Sequence, residues 1–289
     1  MNVHLDPPGA ATAADLPEIA DLLRATFPTD RAWSEELPWQ YLHNPCGPAL
    51  YVNARTEEGR LVGHYAVLPL PPLADERFSA FKVLLSLNTA VHPDAQGKGL
   101  FKATARKLYE YLEQQQSSVV LGVANAASTP GFVGSLGFYS LGRLSLRFYP
   151  PWTKAFEGPD RTLAADPAFA AWRAQRPGGR FAKDETTRSL HRVIVHKGAT
   201  VHGVLTHSMP SEHWQALGHV PARSSLSRLK DPLLYACSGP PPVGGVPVPE
   251  RFRPSPLSYI CRVLPDKNAA SLINYLTSHR FEFLDFDVL

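Results

Sequence analysis

The stretch HPDAQGKGLF, residues 92–101, places two glycines and a lysine directly before an amphipathic segment. A helix that begins there presents unpaired backbone N–H groups and a partial positive charge at its first turn. Gly97 and Gly99 have no side chain, so phosphate oxygens can approach these amides closely, and Lys98 and Lys102 add charge. The turn therefore predicts a cradle for a pyrophosphate group.

The spacing of the glycines excludes two common phosphate-binding loops. The triphosphate loop requires G-x-x-x-x-G-K-[ST], and the dinucleotide fingerprint requires G-x-G-x-x-G after the first strand. Neither pattern occurs in this stretch. On the four residues QGKG alone, a plain turn between a strand and a helix is the simpler interpretation.

Three polar side chains near this turn are candidates for catalysis, namely His64, Asn88 and His92. Imidazole titrates near neutral pH, so either histidine is a candidate general base. Asn88 is a candidate for holding a water molecule or the acceptor. Each has a structural alternative: a capping or solvated role for His92, hydrogen-bonded packing for His64, and a satisfied polar position in the sheet for Asn88.

The elements that must position these residues follow from the hydrophobic patterns. In the first half, the patterns predict a helix over 14–27, a hairpin of strands 49–55 and 60–70, a strand over 81–93, a helix over 100–116, a strand over 117–125 and a short helix over 129–136. A helix that crosses between neighbouring parallel strands is typical of a mixed α/β domain. The second half predicts two strands within 189–210, a strand over 257–265, a helix over 267–279 and a final strand from residue 280.

The length of 289 residues suits two domains of average size, which we expect at 1–150 and 151–289. Asn-Ala-Ala-Ser occurs at 125–128 and again at 268–271, each time after a predicted strand. With the matching order of elements, this repeat indicates an internal duplication, although four common residues can also recur by chance.

The composition favours an ordered protein and argues against a dedicated nucleic-acid binder, because 44% of residues are hydrophobic and the formal net charge is only +3. The three cysteines show neither disulfide nor metal spacing, which predicts a reducing compartment and no metal site. No signal-peptide pattern or apolar run of ~20 residues occurs. We therefore expect a cytoplasmic protein, and its oligomeric state stays open.

These motifs resemble the GNAT superfamily of acyl-CoA-dependent N-acyltransferases. Gln96 to Leu100 match the signature [Q/R]-x-x-G-x-[G/A], and Phe101 replaces its last residue. The stretch NAASTPGFVGSLGF is similar to the second signature of the superfamily, and WQYLHNPCG, from Trp39, resembles a subgroup of bacterial sugar- and polysaccharide-modifying acyltransferases. The resemblance covers roughly 35–150, and beyond it only the order of elements is similar.

The resemblance implies a GNAT-like mixed sheet flanked by helices, with a degenerate second GNAT-like half that helps to form the acceptor site. It also implies that acetyl-CoA or another acyl-CoA binds with its pantetheine along the splayed edges of strands 84–92 and 117–125. The implied cofactor-binding residues are Ala90, Val91, His92, Gln96, Gly97, Lys98, Gly99, Leu100, Phe101 and Asn125. For Asn125, helix capping is the alternative.

The implied activity is N-acylation of a small-molecule amine, such as a nucleotide-linked amino sugar. Other amines (of a protein, an amino acid or an antibiotic) stay open, as does a catalytically silent CoA-binding scaffold. Backbone N–H groups near Thr89–Val91 would stabilise the oxyanion. Many members have a tyrosine as thiolate acid where this chain has Val133, so Ser135, Tyr139 or water is the alternative proton donor.

Overall fold

The computed structural model describes residues 2–27, 29, 31–153, 166–196, 198–253, 255–265 and 269–286. They form two compact units, the first within residues 1–140 and 260–269 and the second within 141–259 and 270–289. The sequence predicted a division at residue 150, and the units differ from it chiefly because residues 260–269 belong to the first unit. None of the described helices is long and apolar enough to cross a membrane.

The first unit is a mixed α/β structure, and its hairpin and crossover helix confirm the predicted fold class. Its elements are β1 (Val3–Leu5), β2 (Gly9–Ala10), α1 (Leu16–Thr26), α2 (Trp33–Leu37), β3 (Leu50–Thr56), β4 (Leu61–Pro69), β5 (Lys82–Val91), α3 (Leu100–Gln115), β6 (Ser118–Ala124), α4 (Thr129–Ser135) and β7 (Tyr139–Arg143), which begins in this unit. A π-helical turn over Pro38–Leu42 follows α2.

The second unit is also mixed α/β. Its elements are β8 (Ser145–Tyr149), α5 (Pro167–Arg173), β9 (Phe181–Asp184), β10 (Ser189–His196), β11 (Ala199–Thr206), α6 (Ser211–Ala216), α7 (Ser225–Lys230), β12 (Leu233–Cys237), β13 (Val246–Pro247) and α8 (Ala269–Ser278), which starts at the boundary. A further strand, β14 (Ser258–Leu264), contributes residues 260–264 to the first unit.

The two sheets have matching strand orders. The first runs β1-β3-β4-β5-β6-β14-β7, and the second runs β13-β8-β12-β11-β10-β9. Each contains a parallel pair, β5–β6 in the first and β11–β12 in the second. In the first sheet, β14 lies beside β6, although in the sequence it follows β13 of the second sheet. In the second sheet, β8 lies beside β12, although in the sequence it follows β7 of the first sheet. Relative to the predicted halves 1–150 and 151–289, each sheet therefore takes one strand from the other half.

This exchange changes the equivalence that the repeated Asn-Ala-Ala-Ser indicated. The tetrapeptide follows β6 in one half and β14 in the other, whereas the strand orders make β6 equivalent to β12 and β14 equivalent to β8. The predicted final strand is also wrong for residues 280–286. Asp285 accepts the N–H of Glu282 and donates its own N–H to the Glu282 carbonyl, which makes a turn after a single bridge. Residues 268 and 287–289 lie outside the described residues.

The core of the first unit lies between one face of its sheet and α3. Its members are fully or nearly fully buried, and they include Val52, Tyr65, Val67, Leu84, Leu108, Tyr109, Leu112, Val120, Phe132 and Ile260. Burial of each large apolar side chain contributes about 1.5–3 kcal/mol, so this layer holds α3 firmly against the strands. The start of α3 is thereby fixed relative to the end of β5.

A β-bulge interrupts β5 near its carboxyl end. His64 of β4 is opposite Ala90, but Ala66 is opposite Leu87, so two residues of β5 face Tyr65 alone. One of these two residues is Asn88, whose φ is +49°. A bulge bends its strand and increases the local twist. The bulge therefore turns the last residues of β5 away from their course beside β6.

Candidate functional site

The parallel strands β5 and β6 separate towards their carboxyl ends. Lys82 to Leu85 pair in order with Ser118 to Leu121, and the ladder ends there although β5 continues to Val91 and β6 to Ala124. The carboxyl ends of parallel strands are the usual ligand side of an open α/β sheet. The predicted gap between strands 84–92 and 117–125 is thus present in the geometry.

The glycine turn directly follows β5 and leads into α3. Gly97 and Gly99 have φ values of +76° and +73°, a region in which glycine is free of the steric cost that other residues bear. A Cβ on either residue would meet nothing within 4 Å, so the space beside them is open. Among the described residues, the backbone N–H groups of Gly97, Lys98 and Gly99 have no acceptor. They are available to a ligand.

Gln96 at the start of the turn folds back onto the strand. Its Nε2 donates to the Val91 carbonyl at 3.3 Å, and its backbone N–H donates to the Pro93 carbonyl at 3.3 Å. The Gln96 amide is thus engaged by the protein, unlike the three amides that follow. The row of available donors begins one residue later than the sequence predicted.

His92 is part of the turn itself. Its Nδ1 accepts the backbone N–H of Asp94 at 3.2 Å, which is a capping interaction. Arg60 lies 3.2 Å from the same Nδ1 and 3.2 Å from the Asp94 carboxylate. The capping alternative for His92 is therefore the arrangement in the structure. Arg60 also offsets the one carboxylate of the turn, which favours an anionic ligand.

Phe101, which departs from the family signature, fills space between α3 and α4. Its ring contacts Phe132 with centroids 4.9 Å apart in an edge-to-face arrangement. A Cβ on Gly131 would lie 2.6 Å from Phe101 Cε1, so only glycine fits beside this ring. The larger residue in the signature is thus accommodated by a glycine on the facing helix.

Asn125 is engaged in the cap of α4. Its Oδ1 accepts the backbone N–H of Ser128 at 2.8 Å, and its carbonyl accepts from the Thr129 hydroxyl at 2.7 Å. Val133, in place of the expected tyrosine, is on α4 and 39% exposed. Tyr139 is also 39% exposed, whereas Ser135, the other side-chain alternative to that tyrosine, is half-buried.

His64 is on the face of the sheet opposite α3 and is enclosed there. Its exposure is 1%, its Nδ1 is 2.7 Å from Asn53 Oδ1, and its Nε2 is 2.9 Å from the Tyr41 hydroxyl. Burial lowers the pKa of His64 to about 3, so the ring is neutral at physiological pH. With both nitrogens engaged, His64 cannot touch an acceptor directly.

Asn88 connects this buried cluster to the bulge of β5. Its Nδ2 is 2.7 Å from Gln40 Oε1 and 3.2 Å from the Tyr41 hydroxyl oxygen. Its positive φ is one that asparagine adopts more readily than most residues. Asn88 and His64, both predicted, are therefore joined through Tyr41, which is not among the predicted site residues.

The segment that carries Gln40 and Tyr41 is fixed by the Trp-x-x-x-x-Asn-Pro-x-Gly motif. Asn44 is buried, its Nδ2 donates to the Pro69 carbonyl at 2.7 Å, and its Oδ1 accepts the N–H of Cys46 at 3.0 Å. Gly47 has a φ of +116°. These residues hold the turn after the π-helical segment against the end of β4. Their contacts therefore position the segment that carries Tyr41.

One family model matches most of the first unit. Residues 9–141 match the family model described as an acetyltransferase (GNAT) domain, which confirms the resemblance in the sequence. Members of this family use acetyl-CoA as acyl donor. No curated protein matches the chain.

Several solved structures share the fold over most of the chain. A GCN5-related N-acetyltransferase from Anabaena variabilis ATCC 29413 has a TM-score of 0.57 at 11% identity, covering 90% of this chain and 73% of that chain. A probable N-acyltransferase from Enterococcus faecalis V583 has a TM-score of 0.54 at 10% identity, covering 91% of this chain and 73% of that chain. Eis1 from Mycobacterium abscessus has a TM-score of 0.53 at 14% identity, covering 94% of this chain and 76% of that chain. At such identities the likeness shows the fold alone.

Proposed function

We propose that this chain, whose residues 9–141 form an acetyltransferase domain of the GNAT family, transfers an acetyl or short acyl group from coenzyme A to a primary amine by direct attack in a ternary complex. The observation that carries the proposal is the row of available amides at Gly97–Gly99, placed where β5 and β6 separate. A diphosphate on those amides would leave its pantetheine arm to run into the gap.

The turn offers three kinds of support for the coenzyme A diphosphate. The amides of Gly97 to Gly99 come directly before the first turn of α3. Unpaired N–H groups and the helix dipole favour negative charge at this end of a helix. Lys98 and Lys102 add positive charge within reach. We propose that Ala90, Val91 and His92 at the end of β5 flank the pantetheine, and that Asn125 contacts it from the cap of α4.

The reaction forms a carbon–nitrogen bond and breaks a carbon–sulfur bond. The neutral amine attacks the thioester carbonyl, its proton is lost, and the thiolate of coenzyme A takes up a proton. Backbone N–H groups near Thr89–Val91 are the proposed oxyanion donors, because fixed dipoles stabilise developing charge without reorganising. Holding the two reactants side by side supplies much of the remaining acceleration.

The acceptor that we propose is an amino sugar, free or nucleotide-linked, because the Trp39–Gly47 segment resembles that of sugar-modifying members. Protein amines, amino acids and aminoglycoside antibiotics are the other amines to test. One observation favours a catalytically silent coenzyme A-binding protein instead: Val133 provides no hydroxyl at the position of the usual thiolate acid.

Two measurements separate these functions. Isothermal titration with acetyl-CoA and with desulfo-CoA should give one site per chain. Thiol release from acetyl-CoA should then be followed with glucosamine, a UDP-linked amino sugar, lysine, spermidine and kanamycin. Release that depends on one of these amines supports the transferase, whereas tight coenzyme A binding with no release from any of them supports the silent binder.

A further inference from the structure

The cluster behind β5 is a chain of hydrogen bonds that run in one direction. Asn53 Oδ1 can only accept, so His64 donates from Nδ1 and its Nε2 has no proton. The unprotonated Nε2 accepts from the Tyr41 hydroxyl, and the Tyr41 oxygen in turn accepts from Nδ2 of Asn88. The second hydrogen of that Nδ2 goes to Gln40 Oε1.

This chain fixes the orientation of the Asn88 amide. Both hydrogens of Nδ2 are engaged, so rotating the amide by 180° would place its oxygen against the oxygens of Gln40 and Tyr41. Such a rotation would bring acceptors together and would leave two donors without partners, at a cost of about 1–3 kcal/mol for each buried group. The side chain is therefore held with Oδ1 on the side away from Gln40 and Tyr41.

The Oδ1 atom of Asn88 has no partner among the described residues, and the residue is half-buried. It is in the bulge, three residues beyond Leu85, where the β5–β6 ladder has ended. A neutral carbonyl oxygen fixed in this place can accept one N–H hydrogen bond. It cannot donate one, so it discriminates in favour of a ligand atom that carries hydrogen.

We infer that Asn88 Oδ1 accepts a hydrogen bond from the amine that attacks the thioester, and that Tyr41, Gln40 and His64 are positioning residues that hold Oδ1 towards that amine. This inference rests on the proposed transferase function. An amine nitrogen that gives one hydrogen to Asn88 has its lone pair directed elsewhere, which orients it for attack. His64 acts through Tyr41 and does not itself take the proton of the amine.

The test compares Tyr41→Phe with Tyr109→Phe. Tyr109 is an equally buried tyrosine of the same unit, on the other face of the sheet, whose hydroxyl is 2.5 Å from that of Tyr65. Loss of the Tyr41 hydroxyl should raise the KM for the best amine of the panel by about 10-fold, the equivalent of one hydrogen bond. The Kd for acetyl-CoA should stay within about 2-fold in both variants, and Tyr109→Phe should leave the amine KM unchanged.

A second measurement reports on the chain of hydrogen bonds without catalysis. Nitrogen-15 NMR of the histidine rings should show neutral His64 with its proton on Nδ1 from pH 8 down to pH 5, with His64→Gln identifying the resonance. A proton on Nε2 would overturn the inference, because the chain would then run the other way.

The kinetic outcomes distinguish a failure of this inference from a failure of the proposed transferase function. If none of the amines in the panel makes the unmodified chain release thiol, the proposed function fails and the inference fails with it. If the unmodified chain acylates an amine but Tyr41→Phe changes the acetyl-CoA Kd as much as the amine KM, or changes neither, the inference alone is overturned.

Discussion

The two units build the same parallel strand pair but complete its open end differently. In the first unit, β5 and β6 separate after Leu85 and Leu121, and no described segment is hydrogen-bonded between them. In the second unit, residues 281–284 lie between the ends of β11 and β12. Leu284 donates its N–H to the Leu205 carbonyl at 2.9 Å, and the Phe281 carbonyl accepts the N–H that follows β12 at 3.0 Å.

The end of the second pair is sealed by buried charged and polar side chains. The Tyr235 hydroxyl donates to Glu282 Oε1 at 2.5 Å, and Arg280 is 2.6 Å from Nε2 of His207. Glu282 and Arg280 are 1% and 6% exposed. Separated parallel strands need partners for their backbone groups, and the second unit supplies them from its own chain. The first unit leaves the equivalent place to a ligand, so we expect one coenzyme A per chain.

The largest effect is expected from Glu282→Gln in the sealed end. Removing one member of a buried ion pair leaves Arg280, which is 4.0 Å away, with an uncompensated charge. We expect the free energy of unfolding of the second unit to fall by about 3–5 kcal/mol, while the acetyl-CoA Kd stays unchanged. Urea unfolding and calorimetric titration measure the two quantities.

Glu250→Gln is the matched control for that substitution. Glu250 pairs with Arg143 at 3.2 Å in the same unit, but its side chain is 79% exposed. An exposed ion pair contributes only about 0–1 kcal/mol, so this variant should unfold like the unmodified protein. Equal effects of the two variants would mean that the sealed end adds no stability, and a weakened acetyl-CoA affinity in Glu282→Gln would mean that the two ends are not independent.

The next effect concerns the open end. Gly99→Glu places a carboxylate beside the available amides, so we expect the acetyl-CoA affinity to fall by at least about 100-fold, or about 2.7 kcal/mol. Gly99→Ala is the control, because it shares the backbone strain of a positive φ without the charge. Titration calorimetry measures both. Unmodified affinity in Gly99→Glu would remove the diphosphate assignment.

A smaller effect is expected where Phe101 packs on α4. In Gly131→Ala the new Cβ would lie 2.6 Å from the Phe101 ring, and overpacking of this kind costs about 1–3 kcal/mol of stability. Phe101→Leu in the same chain should recover much of that loss, since a smaller side chain gives way. Thermal unfolding measures the loss of stability in each variant. A loss in the double variant that equals the sum of the losses in the two single variants would show that the two residues do not interact.

The smallest effect is a difference in acid sensitivity. Burial lowers the pKa of His64 to about 3 in the first unit, and in the second it lowers the pKa of His207 to about 4 and those of His191 and His202. Below pH ~6.5 the unfolded chain therefore binds more protons than the folded chain, so stability is lost as the pH falls. Each histidine accounts for a loss of at most about 1.4 kcal/mol for each pH unit. Burial raises the pKa of Asp285 to about 8, which acts in the opposite sense.

Burial also lowers the pKa of His213 in the second unit. With four such histidines against one, the second unit should lose more stability between pH 7 and pH 5. Pulse proteolysis in urea at the two pH values, with the cleavage sites assigned by mass spectrometry, tests this. The expected result is earlier cleavage within residues 166–253 at pH 5. Earlier cleavage within the first unit would contradict the assignment of buried neutral histidines to the second.

Local patterns in the sequence predicted much of the first unit. The β3–β4 hairpin, the helix α3 and the parallel strand β6 each follow from periodicity and turn residues within about 20 positions. The glycine turn was predictable because its chemistry lies in consecutive residues, Gly97 to Gly99. Its backbone conformation agrees with what glycine at those positions allows.

Long-range contacts were not predictable in the same way. Alternation in β4 placed His64 on one face of the sheet but said nothing of what covers that face, which is Tyr41, 23 residues away. The bulge at Asn88 depends on the register of two strands, which no single strand reveals. The position of β14 beside β6 was not predicted either, because the two strands are far apart in the sequence.

The exchanged strands bear on how the polypeptide acquires its shape during synthesis. The sheet of the first unit includes residues 260–264, so it lacks a strand until those residues have been synthesised. A fragment that stops at residue 150 would expose a bare edge of β6 and take β8 from the remainder, and unprotected edges are prone to aggregation. We therefore expect the residues before β14 to need protection from aggregation during synthesis, until residues 260–264 can complete the sheet.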